Sequence, residues 1–288
     1  NDAEAATGAF NEGDLAWVAD SILLDRIDDT DSLVFNPLFA TTFFYFSCRE
    51  APFDDPRVRR ALTLLLPFDS LRSSRFMYFP ASTLVPGVPK YPQVFGITEQ
   101  NTDESARLLE EAGFPGGEGI PQIIIKIPGG FESRRVAVLM KQTWEESLGI
   151  TVNIEEFDFS RYYDVLKAGD YTLGMLSWIG DFPDPLTFLQ MWTSESNLND
   201  AGYRNHDFDA IIGESMLQSG VDRYETLSRA EQLILDEAVV LPISHLPAWN
   251  LIDLGRIEGW YPNPLDIHPF RFIRRRKLRV GPGIVFLE

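Results

Sequence analysis

Between residues 121 and 178 the sequence alternates between short β-branched runs and longer amphipathic stretches, and this alternation constrains the fold more than any other feature. PQIIIKI (121–127), ITVNIEEF (150–157) and YTLGMLSW (171–178) have the length and composition of strands. Between them, ESRRVAVLMKQTWEESLG (132–149) repeats apolar residues at helical spacing, and SRYYDVLKAG supplies a second, shorter helix. Parallel strands cannot be joined by a tight turn, so strand, helix, strand, helix, strand points to an α/β domain with right-handed crossovers. The expected sheet is mixed and parallel-rich. Val136, Leu139, Met140, Thr143 and Trp144 fall on one face of the helix at 132–148 and are expected to be its buried face.

The flanking sequence extends this pattern. TTFFYFSC (41–48) reads as a buried strand, and PFDDPRVRRALTLLL as a turn at Pro52 to Asp55 followed by a helix with Pro56 in its first turn. The Pro-rich segment STLVPGVPKYPQVFG (82–96) lacks periodicity and reads as a long surface loop. In NTDESARLLEEAGF (101–114), Asn101 is placed to cap a helix and Gly113 to stop it. Further helices are expected near 207–218 and 222–238. VVLPISHLPAW (239–249) is apolar but interrupted by prolines, as an edge strand or inter-lobe crossing would be. Residues 1–31 hold nine acids against one base, Arg26, and read as a weak helix followed by an irregular acidic segment.

Composition excludes several function classes. The 43 acidic and 25 basic residues give a net charge of -18, which repels nucleic acid and anionic lipid and favours neutral or cationic partners. Cys48 is the one cysteine, so no internal disulfide can form; both oxidising and reducing compartments stay open. His206, His245 and His268 are scattered, and with one cysteine they do not make a structural zinc site. NHDFD (205–209) contains metal-ligand types but is more simply the cap of the helix that follows. There is no P-loop, no G-x-G-x-x-G and no G-x-S-x-G, hence no cofactor or nucleophile signature. No run approaches the ~18 apolar residues of a membrane helix. The basic, Gly/Pro-containing end RRRKLRVGPGIVFLE reads equally as a tail or a terminal strand.

The segment WIGDFPDP (178–185) follows the last strand of the alternating run. In open α/β sheets, ligands gather beyond the carboxyl ends of the strands. A carboxylate of Asp181 or Asp184, held there beside Trp178 and Phe182, is expected to be partly desolvated and so to attract an ammonium group more strongly than it does in bulk water. The alternative is that both acids only shape the turn ahead of Pro183 and Pro185. A glycosidase-like acid pair is disfavoured, because residues three apart in one turn do not bracket a scissile bond from opposite sides.

Several segments, taken in order, resemble the family 5 extracellular solute-binding proteins, the oligopeptide-, dipeptide- and nickel-binding receptors of ABC importers. They are APFDDPRVRRALTLLLPFDSL, DESARLLEEAGFPGGEGIPQIIIKI, the long stretch from MKQTWEESLGITVNIEEF through DFPDPLTFLQMW, NDAGYRNHDFDAIIGESM and RYETLSRAEQLILDEAVVLPI. The resemblance implies a periplasmic-binding-protein-like (type II) α/β C-terminal lobe over 38–245. Residues 1–37 and 246–288 would be remnants of an N-terminal lobe whose main part does not occur in this sequence, leaving Trp17, Trp249, Trp260 and Phe270 exposed or repacked. It further implies a non-catalytic monomeric receptor without metal or cofactor, periplasmic or extracytoplasmic, with or without a lipid anchor. Its partners would be a peptide ligand and ABC permease subunits, not nucleic acid. In peptide binders of the family the acid of a Trp-x-x-Asp motif pairs with the peptide amino group. Trp178 and Asp181 occupy those positions, with Gly180 and Phe182 between and beside them in the inter-lobe cleft. Nickel-type members lack this acid, so a nickel or other small-solute receptor is the second reading, a structural or regulatory domain the third, and a hydrolase the least favoured.

Overall fold

The computed structural model of the protein describes residues 2–19, 22–73, 79–276, 278–281 and 284–287. Backbone contacts divide the chain into two units, Asn1–Phe39 with Leu246–Glu288, and Ala40–His245. In chain order the elements begin with α1 (Ala3–Asn11), β1 (Trp17–Ala19) and β2 (Leu33–Phe46). The helices α2 (Pro56–Leu64) and α3 (Phe68–Arg72) precede β3 (Phe79–Pro80) and α4 (Thr102–Glu111). Then come β4 (Ile123–Pro128), α5 (Phe131–Leu148), β5 (Val152–Phe157), α6 (Phe159–Ala168) and β6 (Leu173–Ile179). The order closes with α7 (Leu186–Leu189), α8 (His206–Ser215), α9 (Gly220–Asp236), β7 (Val240–Ile252), β8 (Ile257–Glu258) and β9 (Arg274–Arg275).

In the larger unit the strands lie in the order β3, β7, β2, β6, β4, β5. As the alternation predicts, β4 runs parallel to both β5 and β6, with Ile125 opposite Ile154 on one side and Leu173 on the other. β2 is antiparallel to β6 and places Thr41 opposite Trp178. Ile123, Ile125 and Ile127 alternate onto one face of β4 and are fully buried there with Val136, Met140 and Trp144 of α5. The α5 face includes Ala137 as well, whereas Leu139 and Thr143 are only half-buried at its margin. Trp144 has no exposed surface, and its indole N–H donates to the Leu62 carbonyl of α2 at 2.8 Å. On the other face, the buried Tyr162 hydroxyl of α6 donates toward the Lys126 carbonyl at 2.8 Å and accepts from the Met175 amide at 2.9 Å, bridging β4 and β6. Gly149 closes α5 at φ +63°, a conformation that costs a residue with a Cβ more.

Two expectations need correction, and a third narrows to one of its two forms. β2 begins at Leu33, well before residue 41, because its early part tolerates Pro37 inside an extended backbone. β7 runs unbroken through Pro242 and Pro247 and passes from the larger unit into the smaller at His245–Leu246, the crossing that is one of its two readings; it is not the edge strand of the other, since in the larger unit it lies inside the sheet, with β2 on one side and two-residue β3 on the other. So short a neighbour leaves most of that side of β7 unpaired in this unit, where a missing N–H costs little. Residues 82–96 are irregular but not superficial: Leu84, Val85 and Val94 are buried, and the Leu84 and Val85 amides both donate to Glu231 of α9.

The smaller unit is built from both ends of the chain. α1 is capped by Asp2, and β1, in a stretch whose composition reads as irregular, pairs antiparallel with the end of β7, Val18 opposite Leu251. The Trp17 indole N–H donates to Asn250 at 2.7 Å, and Trp249 packs on Phe35. Trp260 is buried, with His268 stacked on it at 4.8 Å, while Phe270 remains 79% exposed. Part of the basic end is ordered into strands, since β9 pairs with β8 and Leu278–Gly281 pairs with Ile284–Leu287. Lys277, Pro282, Gly283 and Glu288 of that end lie outside the described residues.

Because Trp144 joins α5, α2 and β4, Trp144→Ala is expected to cost about 3–5 kcal/mol. Urea unfolding of the two proteins measures this as a lowered midpoint.

Candidate functional site

β6 leaves the sheet at Ile179, at the same edge where the parallel strands β4 and β5 end. Gly180 is buried, and the chain turns through residues 181–185 before α7. The buried hydroxyl of Thr187 in α7 holds this turn, accepting the Asp181 amide at 3.1 Å and the Trp178 indole N–H at 3.4 Å. Trp178 and Phe182 are half-buried, and Ile179 beside them is 51% exposed. Asp181 itself is exposed, not partly desolvated as its place between two aromatic residues suggests, because Trp178 and Phe182 are only half-buried beside it. Its carboxylate has no hydrogen-bond or ion-pair partner among the described residues.

Asp184 is differently placed. Its Oδ1 accepts the Leu186 amide at 2.9 Å at the start of α7, and its two oxygens take both Nη atoms of Arg223 on α9, at 2.5 and 3.0 Å. The pair is largely covered, with Arg223 17% and Asp184 24% exposed. A bidentate guanidinium–carboxylate contact of this kind fixes geometry as well as charge. Asp184 therefore builds the loop, and Asp181 is the one acid in it free to meet a ligand. Two free acids, which an acid/base pair would need, are not present in the turn.

Behind Trp178 lies its cross-strand neighbour Thr41, whose Oγ1 contacts the Leu84 carbonyl at 2.7 Å and His245 Nδ1 at 2.9 Å. A carbonyl can only accept, so the hydroxyl proton goes to Leu84 and the hydroxyl oxygen accepts from an Nδ1–H tautomer of His245. Burial pushes His245 down to about 4, so the ring is neutral at ordinary pH. Sequence reasoning singled out Asp181, Trp178, Gly180 and Phe182, and the structure adds the residues that frame them, Thr187, Thr41, His245 and Arg223. Arg223 is 39 residues from Asp184, and nothing local marks the pairing.

A crevice of about 520 Å³ opens beyond the far end of β2, lined by Cys48, Arg49, Arg59 and Glu237, where Arg59 already pairs with Glu237 and donates to the Phe53 carbonyl. Asn205 caps α8, accepting the Asp207 and Phe208 amides. Among the described residues no group of three or more His, Cys, Asp or Glu side chains is placed to hold a metal ion, and no helix is long and apolar enough to cross a membrane.

The profile of the bacterial extracellular solute-binding proteins, family 5 Middle, matches residues 1–200. The chain belongs to this family. It is 26% identical over 251 residues to the oligopeptide-binding protein OppA of Bacillus subtilis (strain 168), covering 81% of this chain and 46% of that protein. It is also 26% identical over 271 residues to the probable deoxycholate-binding periplasmic protein YgiS of Escherichia coli (strain K12), covering 88% of this chain and 49% of the other. Among solved structures, the Escherichia coli murein tripeptide binding protein MppA superposes with a TM-score of 0.78 at 23% identity, over 95% of this chain and 56% of that one. The fold is thus that of the periplasmic binding proteins, and the family 5 chain described here spans about half the length of the relatives it matches.

The two acids of the loop should separate in stability measurements. Asp184→Asn leaves a largely covered Arg223 without its counter-charge and is expected to cost about 1.5–3 kcal/mol. Asp181→Asn removes no contact, and its stability should stay within about 0.5 kcal/mol of the parent. Thermal or urea unfolding of the two variants side by side checks both.

Proposed function

We propose that this chain is the C-terminal, ligand-binding portion of the substrate-binding component of an ABC importer for peptides or similar amine-bearing solutes. The single observation that carries the reading is the unpaired carboxylate of Asp181, exposed beyond the end of β6 and flanked by Trp178 and Phe182. In this reading Asp181 receives the ligand's ammonium group, Trp178 and Phe182 form an apolar wall beside it, and Gly180 lets the backbone turn without adding bulk. Residues 38–245 are the binding lobe, and 1–37 and 246–288 belong with the other lobe of the whole protein. Membership of a family of solute-binding proteins supports a non-catalytic role, and the names of OppA and MppA support peptides. The working protein is extracytoplasmic, acts as a monomer and delivers its ligand to permease subunits.

A second reading, an apolar or anionic solute without an amine, is supported by the equal identity to a relative named for deoxycholate. The two readings differ at one atom. If a ligand ammonium pairs with Asp181 out of water, Asp181→Asn should weaken binding by about 3–5 kcal/mol, roughly a hundredfold or more in Kd. Titration calorimetry on the protein encoded by the complete reading frame, with free-amine and N-acetylated forms of one peptide mixture, tests this. The free-amine form should bind better to the native protein and lose that advantage in the variant. Equal binding of both forms to the native protein would exclude the amine-binding role.

A further inference from the structure

Leu227, Ala230, Ile234 and Leu235 form the buried face of α9, and Glu231 sits among them with no exposed surface. Its Oε1 accepts the Leu84 and Val85 amides, each at 2.9 Å, from the irregular segment between β3 and α4. Its Oε2 and the buried Tyr91 hydroxyl of the same segment each lack a hydrogen-bond partner, yet the two groups act on each other's titration. Among the described residues no lysine, arginine or histidine pairs with Glu231. The other groups around this contact are Asp184, which acts on Tyr91 and is neutralised by Arg223, and His245, reached through Thr41 and the Leu84 carbonyl. A buried carboxyl without a cation disfavours its charged form, whatever the amides return.

We propose that Glu231 is a protonation-controlled clasp: while it is the neutral acid residues 82–96 stay closed on α9, and its ionisation, although it strengthens the two amide hydrogen bonds, leaves an uncompensated charge in a dry site and so favours opening of the segment to water. Burial raises the carboxyl from 4.5 to about 7. Its contribution to stability is therefore complete below the ordinary carboxylate value and is lost as pH rises through about 7. His245, depressed by burial from 6.5 to about 4, acts in the opposite sense, its contribution being lost as pH falls through about 4. A comparison of native protein with Glu231→Gln isolates the clasp, because His245 is common to both and the glutamine oxygen can still accept the two amides. The inference lies within one unit and does not depend on Asp181 binding anything.

The test has two arms on the chain as it stands. Titration of the Glu231 carboxyl carbon by NMR should show a midpoint near neutrality; a midpoint in the ordinary carboxylate range overturns the proposal. Urea unfolding between pH 5 and pH 8 should show the native folding equilibrium falling relative to that of Glu231→Gln by on the order of a hundredfold. Over the same range the Leu84 and Val85 amides, corrected for intrinsic rates, should exchange faster relative to the Ile125 amide in the native protein only. Parallel stability curves, or acceleration shared equally by Ile125, overturn it. If Glu231→Gln does not fold, Tyr91→Phe removes a hydroxyl that favours the ionised acid, so the carboxyl midpoint should move to higher pH. A midpoint that stays in place or falls overturns the clasp.

Discussion

The parallel pairing of β4 with β5 and β6 is the constraint on which the larger unit depends. Parallel neighbours need a crossover, and here each crossover is a helix, α5 and then α6. The sheet is in this way covered on both faces, by Trp144 and its neighbours on one side and by Tyr162 on the other. The same constraint decides where chemistry can occur. All three strands end at one edge, so the irregular chain that follows them collects there, and the loop carrying Asp181 is one of those endings.

At that edge electrostatics sorts two acids that the sequence presents as equivalent. One guanidinium is supplied, and it comes from α9, far along the chain. Asp184 takes it because its backbone position also starts α7, so the same carboxylate meets an amide and both nitrogens of Arg223. Asp181 is held through its amide by Thr187, which leaves its carboxylate to solvent. An exposed, hydrated carboxylate costs the fold little, whereas a second covered one without a cation would cost several kcal/mol. The division of labour thus follows from a single cation serving two acids.

Much of this was legible because its signals are local. The strands at 121–127, 150–157 and 171–178, the face of α5 around Trp144, and the caps at Asn101 and Asn205 all depend on residues within a turn or two of one another. Asp181 was legible by position after a strand and by its aromatic neighbours. What escaped depends on residues distant in sequence. Pro242 and Pro247 read as interruptions, yet extended backbone accommodates both within one long strand. The prolines at 86, 89 and 92 read as surface, yet the segment is drawn inward by Glu231. A single acid at the i+4 position from Leu227 and three before Ile234 was the available hint, since it interrupts an otherwise apolar helical face.

The frame behind the free carboxylate has a consequence for any ligand. Thr187 and Thr41 are neutral hydroxyls, His245 is kept neutral by burial until about pH 4, and Arg223 is already matched to Asp184. None of these groups supplies an unmatched positive charge to the loop, so the field of Asp181 is left uncompensated by the groups that position it. If the loop takes an ammonium group as proposed, that group meets a carboxylate whose backbone is fixed by Thr187, and it replaces water rather than an internal cation. Preorganisation of this sort limits the ordering cost that binding must overcome. Down to about pH 4 the frame from Trp178 through Thr41 and the Leu84 carbonyl to His245 keeps one protonation state, because His245 is its one titratable link.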